Sequence, residues 1–137
     1  MSESIEKKLE KLEFQIRLIG DAIDYRKHPI THLVIEMNWS DADLEKANDI
    51  FEKYDKMLDA GVSINWTEFE MEIKETFAIS YQRVKSIILA FYRNQQWTRI
   101  CRGFAREHKV MEFDEINTRI SLLDIKSTDV RKGKPLI

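Results

Sequence analysis

Apolar side chains recur at helical spacing almost from the start of this chain. Ile5, Leu9, Leu12, Ile16, Ile19 and Ile23 succeed one another at intervals of 4, 3, 4, 3 and 4, an unbroken heptad seam. The seam predicts a first helix from about Glu3 to Gly20 or slightly beyond. Lys8 and Glu13 flank it, where an opposite charge on a partner helix is favourable. Phe14 and Leu18 widen the stripe, which also fits a helix lying on the core of its own domain. The expectation is that the seam meets a second copy of the chain. Ile at core positions of both kinds leaves dimer and trimer open.

Further stripes mark the later helices. Pro29 forces His28 out of helical geometry and suits the first position of a short helix through Met37, with Leu33 and Val34 inward. Leu44, Ala47, Ile50, Phe51, Tyr54 and Leu58 mark the buried side of a helix from Ser40 to about Leu58, stopped at Gly61. Val84, Ile87, Ile88 and Phe91 form the cleanest stripe. Trp97, Ile100, Cys101 and Phe104 repeat its spacing after an interruption at Asn94-Gln95-Gln96. Asp114 caps a last helix, with Ile116, Ile120 and Leu123 inward, and a polar tail begins at about Lys126.

Two of the helix starts rhyme. Asn38-Trp39-Ser40-Asp41-Ala42-Asp43-Leu44-Glu45 returns as Asn65-Trp66-Thr67-Glu68-Phe69-Glu70-Met71-Glu72. In each, the hydroxyl (Ser40 or Thr67) is placed to cap, and the acid three residues on (Asp43 or Glu70) to close a capping box. The indole before the cap is placed to staple onto Leu44 or Met71. A further helix is therefore expected from Thr67 to Phe77, and Ser80 caps the one after it. One recurrence does not make a solenoid.

Composition sharpens this to an all-α domain. The chain has 137 residues, 4 Gly and 2 Pro, too few turn formers for a β architecture. A single domain over residues 1–125, of about six helices, is expected, with 126–137 as the tail. One cysteine excludes an internal disulfide framework and suits a reducing cytoplasm. No run approaches the ~20 apolar residues of a membrane span, and no secretory signal is apparent. The net charge of −2 is unevenly spread: −8 over residues 1–79, +6 over 80–110, and zero over 111–137. Either the basic segment is a functional surface or it faces the acidic half, and the second is the expectation.

Candidate chemistry is sparse. The run from Asp55 to Phe69 has the look of an EF-hand, but Gly61 falls at loop position 7 and Trp66 at position 12, so the spacing fails. His28, His32 and Glu36 are four apart, yet Pro29 puts His28 at or before the cap, and no zinc site is expected. Cys101 lies on an apolar stripe and reads as a small buried hydrophobe. No Gly-rich phosphate loop is present. These readings give no catalytic residue, metal or cofactor. One alternative is a helix-turn-helix over residues 72–88, which would expose Tyr81, Gln82, Arg83 and Lys85 to DNA. Ala78 where the turn usually has Gly, Lys74 at the helix crossing, and the chain's overall acidity weaken it.

The segment from Tyr25 to Ser40, leading into a capped amphipathic helix, resembles the YhaI-type proteins of Bacillus-like Firmicutes. The resemblance spans most of the chain. It implies a small multihelical cytoplasmic protein that self-associates, in a family without an assigned function, and it supplies no catalytic residues. The expected function is a non-enzymatic interaction or regulatory protein acting as a homo-oligomer. A helix-turn-helix DNA-binding regulator is the alternative.

Overall fold

The stripes that the sequence marks as inward on the helices after the first close on one another in space. In a computed structural model, which describes residues 4–118, the order is α1 (Ile5–Ala22), α2 (Pro29–Met37), α3 (Asp41–Asp59), α4 (Trp66–Phe77), α5 (Tyr81–Arg93) and α6 (Thr98–Glu107). A 3-10 turn, Met111–Phe113, then leads into helical residues 114–118. No strand occurs among the described residues. Of the last expected helix, Ile116 is described and buried; Ile120, Leu123 and the 126–137 tail lie outside the described residues.

Helix α5 is the spine. Val84, Ile87, Ile88 and Phe91 are wholly buried, and α5 packs against α2, α4 and α6. The α6 stripe of Ile100, Cys101 and Phe104 meets it, with Trp97 just before. Helices α3 and α4 complete the core through aromatic rings. Phe69 sits edge-on to Phe51, Tyr54 and Trp66, with ring centres 5.2, 5.0 and 5.6 Å away, and tilted against Phe104 at 5.7 Å. Offset and edge-on rings are the favourable arrangements for aromatic pairs. The close approach of the Trp66 ring to α6 needs Gly103. A Cβ there would stand 2.6 Å from Trp66 Cη2, well inside van der Waals contact.

Local signals explain the helix ends, with one correction. Ser40 caps α3 as expected. Its Oγ accepts from Asp43 N–H at 3.2 Å, and Asp43 Oδ2 accepts from Ser40 N–H at 3.0 Å, which closes the capping box. Its rhyming partner does not match it. The cap of α4 is Asn65, whose Oδ1 accepts from the N–H groups of Thr67 and Glu68, so Thr67 lies inside the helix. The two repeats therefore run two residues out of register. Asn38 is spent as the left-handed end of α2 (φ 57°), leaving Ser40 to cap, whereas Asn65 ends an extended approach and is free to cap itself. Trp66 consequently packs on Gly103, Phe69 and Phe104 rather than acting as a residue ahead of the cap.

Between α4 and α5 the chain turns through Ala78, which adopts a left-handed conformation at φ 53°. A methyl side chain is strained there and glycine is not. Ala78→Gly is expected to stabilise the protein by about 0.5–1 kcal/mol, since relief of the strained φ outweighs the added freedom of the unfolded chain. Chemical denaturation with an unchanged slope and a higher midpoint is the check.

Helices α3 and α4 are also clipped at their surface. The Tyr54 hydroxyl donates to Glu72 Oε1 at 2.9 Å, and Lys53 Nζ lies 2.6 Å from Glu72 Oε2. Burial, and after it the bond to Glu72, raises the Tyr54 phenol from 10.0 to about 12. A raised folded-state value means that the neutral phenol is favoured in the native protein. Its contribution is therefore complete below pH 10 and is lost as pH climbs through about 12. Near-ultraviolet titration of phenolate should show one tyrosine ionising late. Tyr54→Phe should remove that step and flatten the loss of stability across the same pH window.

Candidate interaction face

Helix α1 begins with an ordinary cap, Ser4 Oγ accepting from Lys7 N–H at 3.2 Å. Its later turns are unusually open for a helix carrying this much Ile and Leu. Ile5 is 75% exposed, Leu9 54%, Leu12 52%, Ile16 49% and Ile19 57%. All five lie on one stripe of α1. Ile23, the sixth seam position, is half-buried and stands just past the helix in an extended conformation, so the helical part of the seam ends at Ile19. The only buried residue of α1 is Gly20.

That glycine is where α1 meets the body. A Cβ on Gly20 would come 2.6 Å from Ile35 Cγ2 on α2. The rest of the contact is loose. Phe14, Arg17 and Leu18 of α1 face His32, Ile35 and Glu36 of α2 across a groove of about 420 Å³. All the α1 residues involved lie in its C-terminal half. At 100° per residue, Phe14 and Leu18 sit across the helix from the seam. They do not widen the stripe, contrary to the expectation, because the helical turn carries them to the side of α2. The seam itself points away from the body.

A second hollow of about 250 Å³ opens between α2 and α5, beside His32, Glu36, Ser86 and Arg93. Its charged groups have partners. Arg93 donates to Glu115 at 2.6 Å and lies over the Tyr25 ring at 4.8 Å, and His32 Nδ1 stands 4.0 Å from Glu36 Oε1. No cluster of three or more His, Cys, Asp or Glu side chains suited to a metal occurs among the described residues. Cys101 is fully buried, with Sγ 3.5 Å from the Ile88 carbonyl oxygen, and burial pushes its thiol far above the ordinary value.

The residues expected to read DNA in the helix-turn-helix alternative are differently placed. Tyr81 is half-buried, and Gln82 and Arg83 are exposed, but Lys85 is buried, contrary to the expectation. Its ammonium is 2.9 Å from Glu112 Oε2 and 5.0 Å from the centre of the Tyr81 ring. Hydrogen bonding from Lys85 holds the Glu112 carboxyl below its usual range. Arg83 donates to the Glu36 carbonyl and approaches Met37 Sδ. The reason lies in the helix period: position 85 comes after Val84 on the side that α5 turns towards the chain beyond α6, and Glu112 is there to meet it. Sequence spacing on α5 alone could not reveal Glu112.

Arg99 and His108 are matched in the same way. Arg99 reaches Asp55 at 2.8 Å and Asp59 at 2.9 Å, and His108 Nε2 faces Glu70 at 3.4 Å. Arg99 thus pairs with the acidic first half, whereas Lys85 and Arg93 pair with Glu112 and Glu115 beyond the basic segment, so the expected facing of the two halves holds at Arg99. Asp55 is the residue that sequence reasoning misses. It is a buried carboxylate on α3, and only an arginine arriving from 44 positions later explains it.

No family description, curated protein or solved structure matches this chain.

With Lys85 and Arg99 neutralised internally, duplex DNA is expected to show no discrete complex in a gel shift at micromolar protein and low salt. A salt-sensitive shift that is weakened by Arg83→Ala would restore the helix-turn-helix reading.

Proposed function

We propose that this protein is a non-enzymatic, self-associating helical domain that works as a homo-oligomer through α1, in a cytoplasmic setting. One observation carries the reading: five large aliphatic side chains on one stripe of α1, each about half exposed or more, on a helix that turns this stripe away from its own core. Isolated exposed apolar residues are commonplace, but a contiguous stripe is not. The five together offer roughly 500 Å² of apolar surface, in the range of patches that mark interaction sites. Burying it would contribute on the order of 10 kcal/mol per protomer before the costs of association. The body needs none of this surface, because its buried core is drawn from α2 to α6 and the turn beyond. Membership of the YhaI-like group belongs to the same proposal and agrees with it: a helical, self-associating protein without a catalytic constellation.

Light scattering on the full chain at tens of micromolar is expected to give a multiple of the 16.3 kDa protomer mass. A monomer mass would refute the proposal. Leu12→Asp together with Ile16→Asp is expected to dissociate the assembly and leave the helical circular dichroism of the body intact, because neither side chain belongs to the core. Global unfolding by this pair would show that the seam serves the protomer instead.

A further inference from the structure

Resting on the proposed self-association, we infer that the α1 seams of three copies of this chain pack as a parallel, in-register coil, with Lys8 of each copy facing Glu13 of its neighbour. Heptad geometry sets the assignment. The spacing places Ile5, Leu12 and Ile19 at d, and Leu9 and Ile16 at a. Lys8 then falls at g and Glu13 at the next e, five residues on, which are the two positions that meet across a parallel, in-register interface. An antiparallel pairing brings e against e and g against g instead. With Glu6 and Glu13 at e, and Lys8 at g, it sets like charges together. Charge complementarity therefore selects the parallel arrangement.

The shape of the side chains sets the strand number. Two-stranded coils prefer β-branched residues at a and Leu at d, whereas Ile at d shifts the preference to more strands. Here two of the three d positions, 5 and 19, are Ile, and the first a position, 9, is Leu. Three helices also cover more of each seam than two do, which suits side chains exposed over about half their surface or more. Nothing stands in the way on the far side. The body is docked at Gly20, the last e position, at the C-terminal end of the seam, and positions 5, 9, 12 and 16 stay exposed beyond it, so three bodies can radiate outward from that end of a central coil.

Two measurements on the full chain, mass and cross-linking, test the trimer and separate it from self-association as such. The mass should be three times the 16.3 kDa protomer. A mass of two or of four protomers overturns the trimer and leaves the homo-oligomer standing, and a single protomer mass overturns both. The combined substitution Ile5→Leu, Leu9→Ile and Ile19→Leu installs the dimer pattern and should bring the mass down to two protomers; an unchanged mass would count against the packing argument. For orientation, Ile5→Cys should form a disulfide between copies on mild oxidation, because equivalent positions adjoin in a parallel coil and Cys101 is buried away from competition. An antiparallel coil pairs a with d, and would instead cross-link when chains bearing Ile5→Cys are mixed with chains bearing Ile16→Cys. Lys8→Glu should weaken assembly by roughly tenfold, and adding Glu13→Lys should restore it. Failure of the double exchange to restore assembly would remove the Lys8–Glu13 contact.

Discussion

Phe69 holds this fold together. It has no exposed surface, and rings from three helices bear on it: Phe51 and Tyr54 of α3, Trp66 of its own α4, and Phe104 of α6. Phe51 in turn reaches Phe91 on α5, and Phe104 reaches Phe113 in the turn beyond α6. A continuous aromatic network thus joins α3, α4, α5, α6 and the 3-10 turn, and α2 seals it through Leu33. Each ring buries a large apolar area and constrains the orientation of the next. Once these rings have met, the core is closed, and no part of it is left for α1 to cover. The exposed seam is a consequence of that closure.

The same closure pairs three of the basic side chains, Lys85, Arg93 and Arg99. Arginine and lysine from residues 80–110 reach across the packed helices to acids at 55, 59, 112 and 115, so the ion pairs join segments far apart in sequence. Pairs of this kind, partly shielded from water, favour one helix arrangement over near alternatives. Leaving Lys85 or Asp55 without its partner would strand a charge in the interior, which is far more costly than losing an exposed pair. Three cations of the basic segment that has the composition of a nucleic-acid surface, Lys85, Arg93 and Arg99, thus serve the body's own contacts.

The helices and the core are largely legible in the sequence, because each depends on spacing within a short window. Pro29 and Met37 bound α2 as their positions imply, α3 begins and ends within one residue of its expected limits, and the stripes of α5 and α6 are all buried. The features that spacing does not reveal depend on geometry between segments. The repeat at 38 and 65 reads as one motif used twice, yet the chain enters its two copies differently, and Asn65 rather than Thr67 captures the first-turn N–H groups. Lys85 reads as a solvent residue because the acid that meets it lies 27 positions later. Gly20 reads as a helix end, and its close contact with Ile35 is visible in neither neighbourhood. The seam is fully visible as a pattern. Its direction relative to the body is not, since that depends on where Gly20 docks.

Helix α1 also raises a question of stability that the body does not. It has 18 residues, close to the length at which an isolated helix is only marginal in water, and its packing on the protomer is confined to its C-terminal half. Its first turns rely on the Ser4 cap and on local backbone bonds. A helix in this position gains most of its stability from whatever covers its apolar stripe. In the proposed trimer, helix formation and association are therefore one coupled step. Side chains at 5, 9 and 12 are ordered by the neighbouring copies, while Gly20 and Ile35 set the angle at which each body leaves the coil. Fold and assembly then rest on separate residue sets: the seam can change without disturbing the aromatic core, and the core can repack without altering the seam. Gly20 belongs to the link between them, because any side chain there would shift α1 against Ile35 and re-aim the whole stripe.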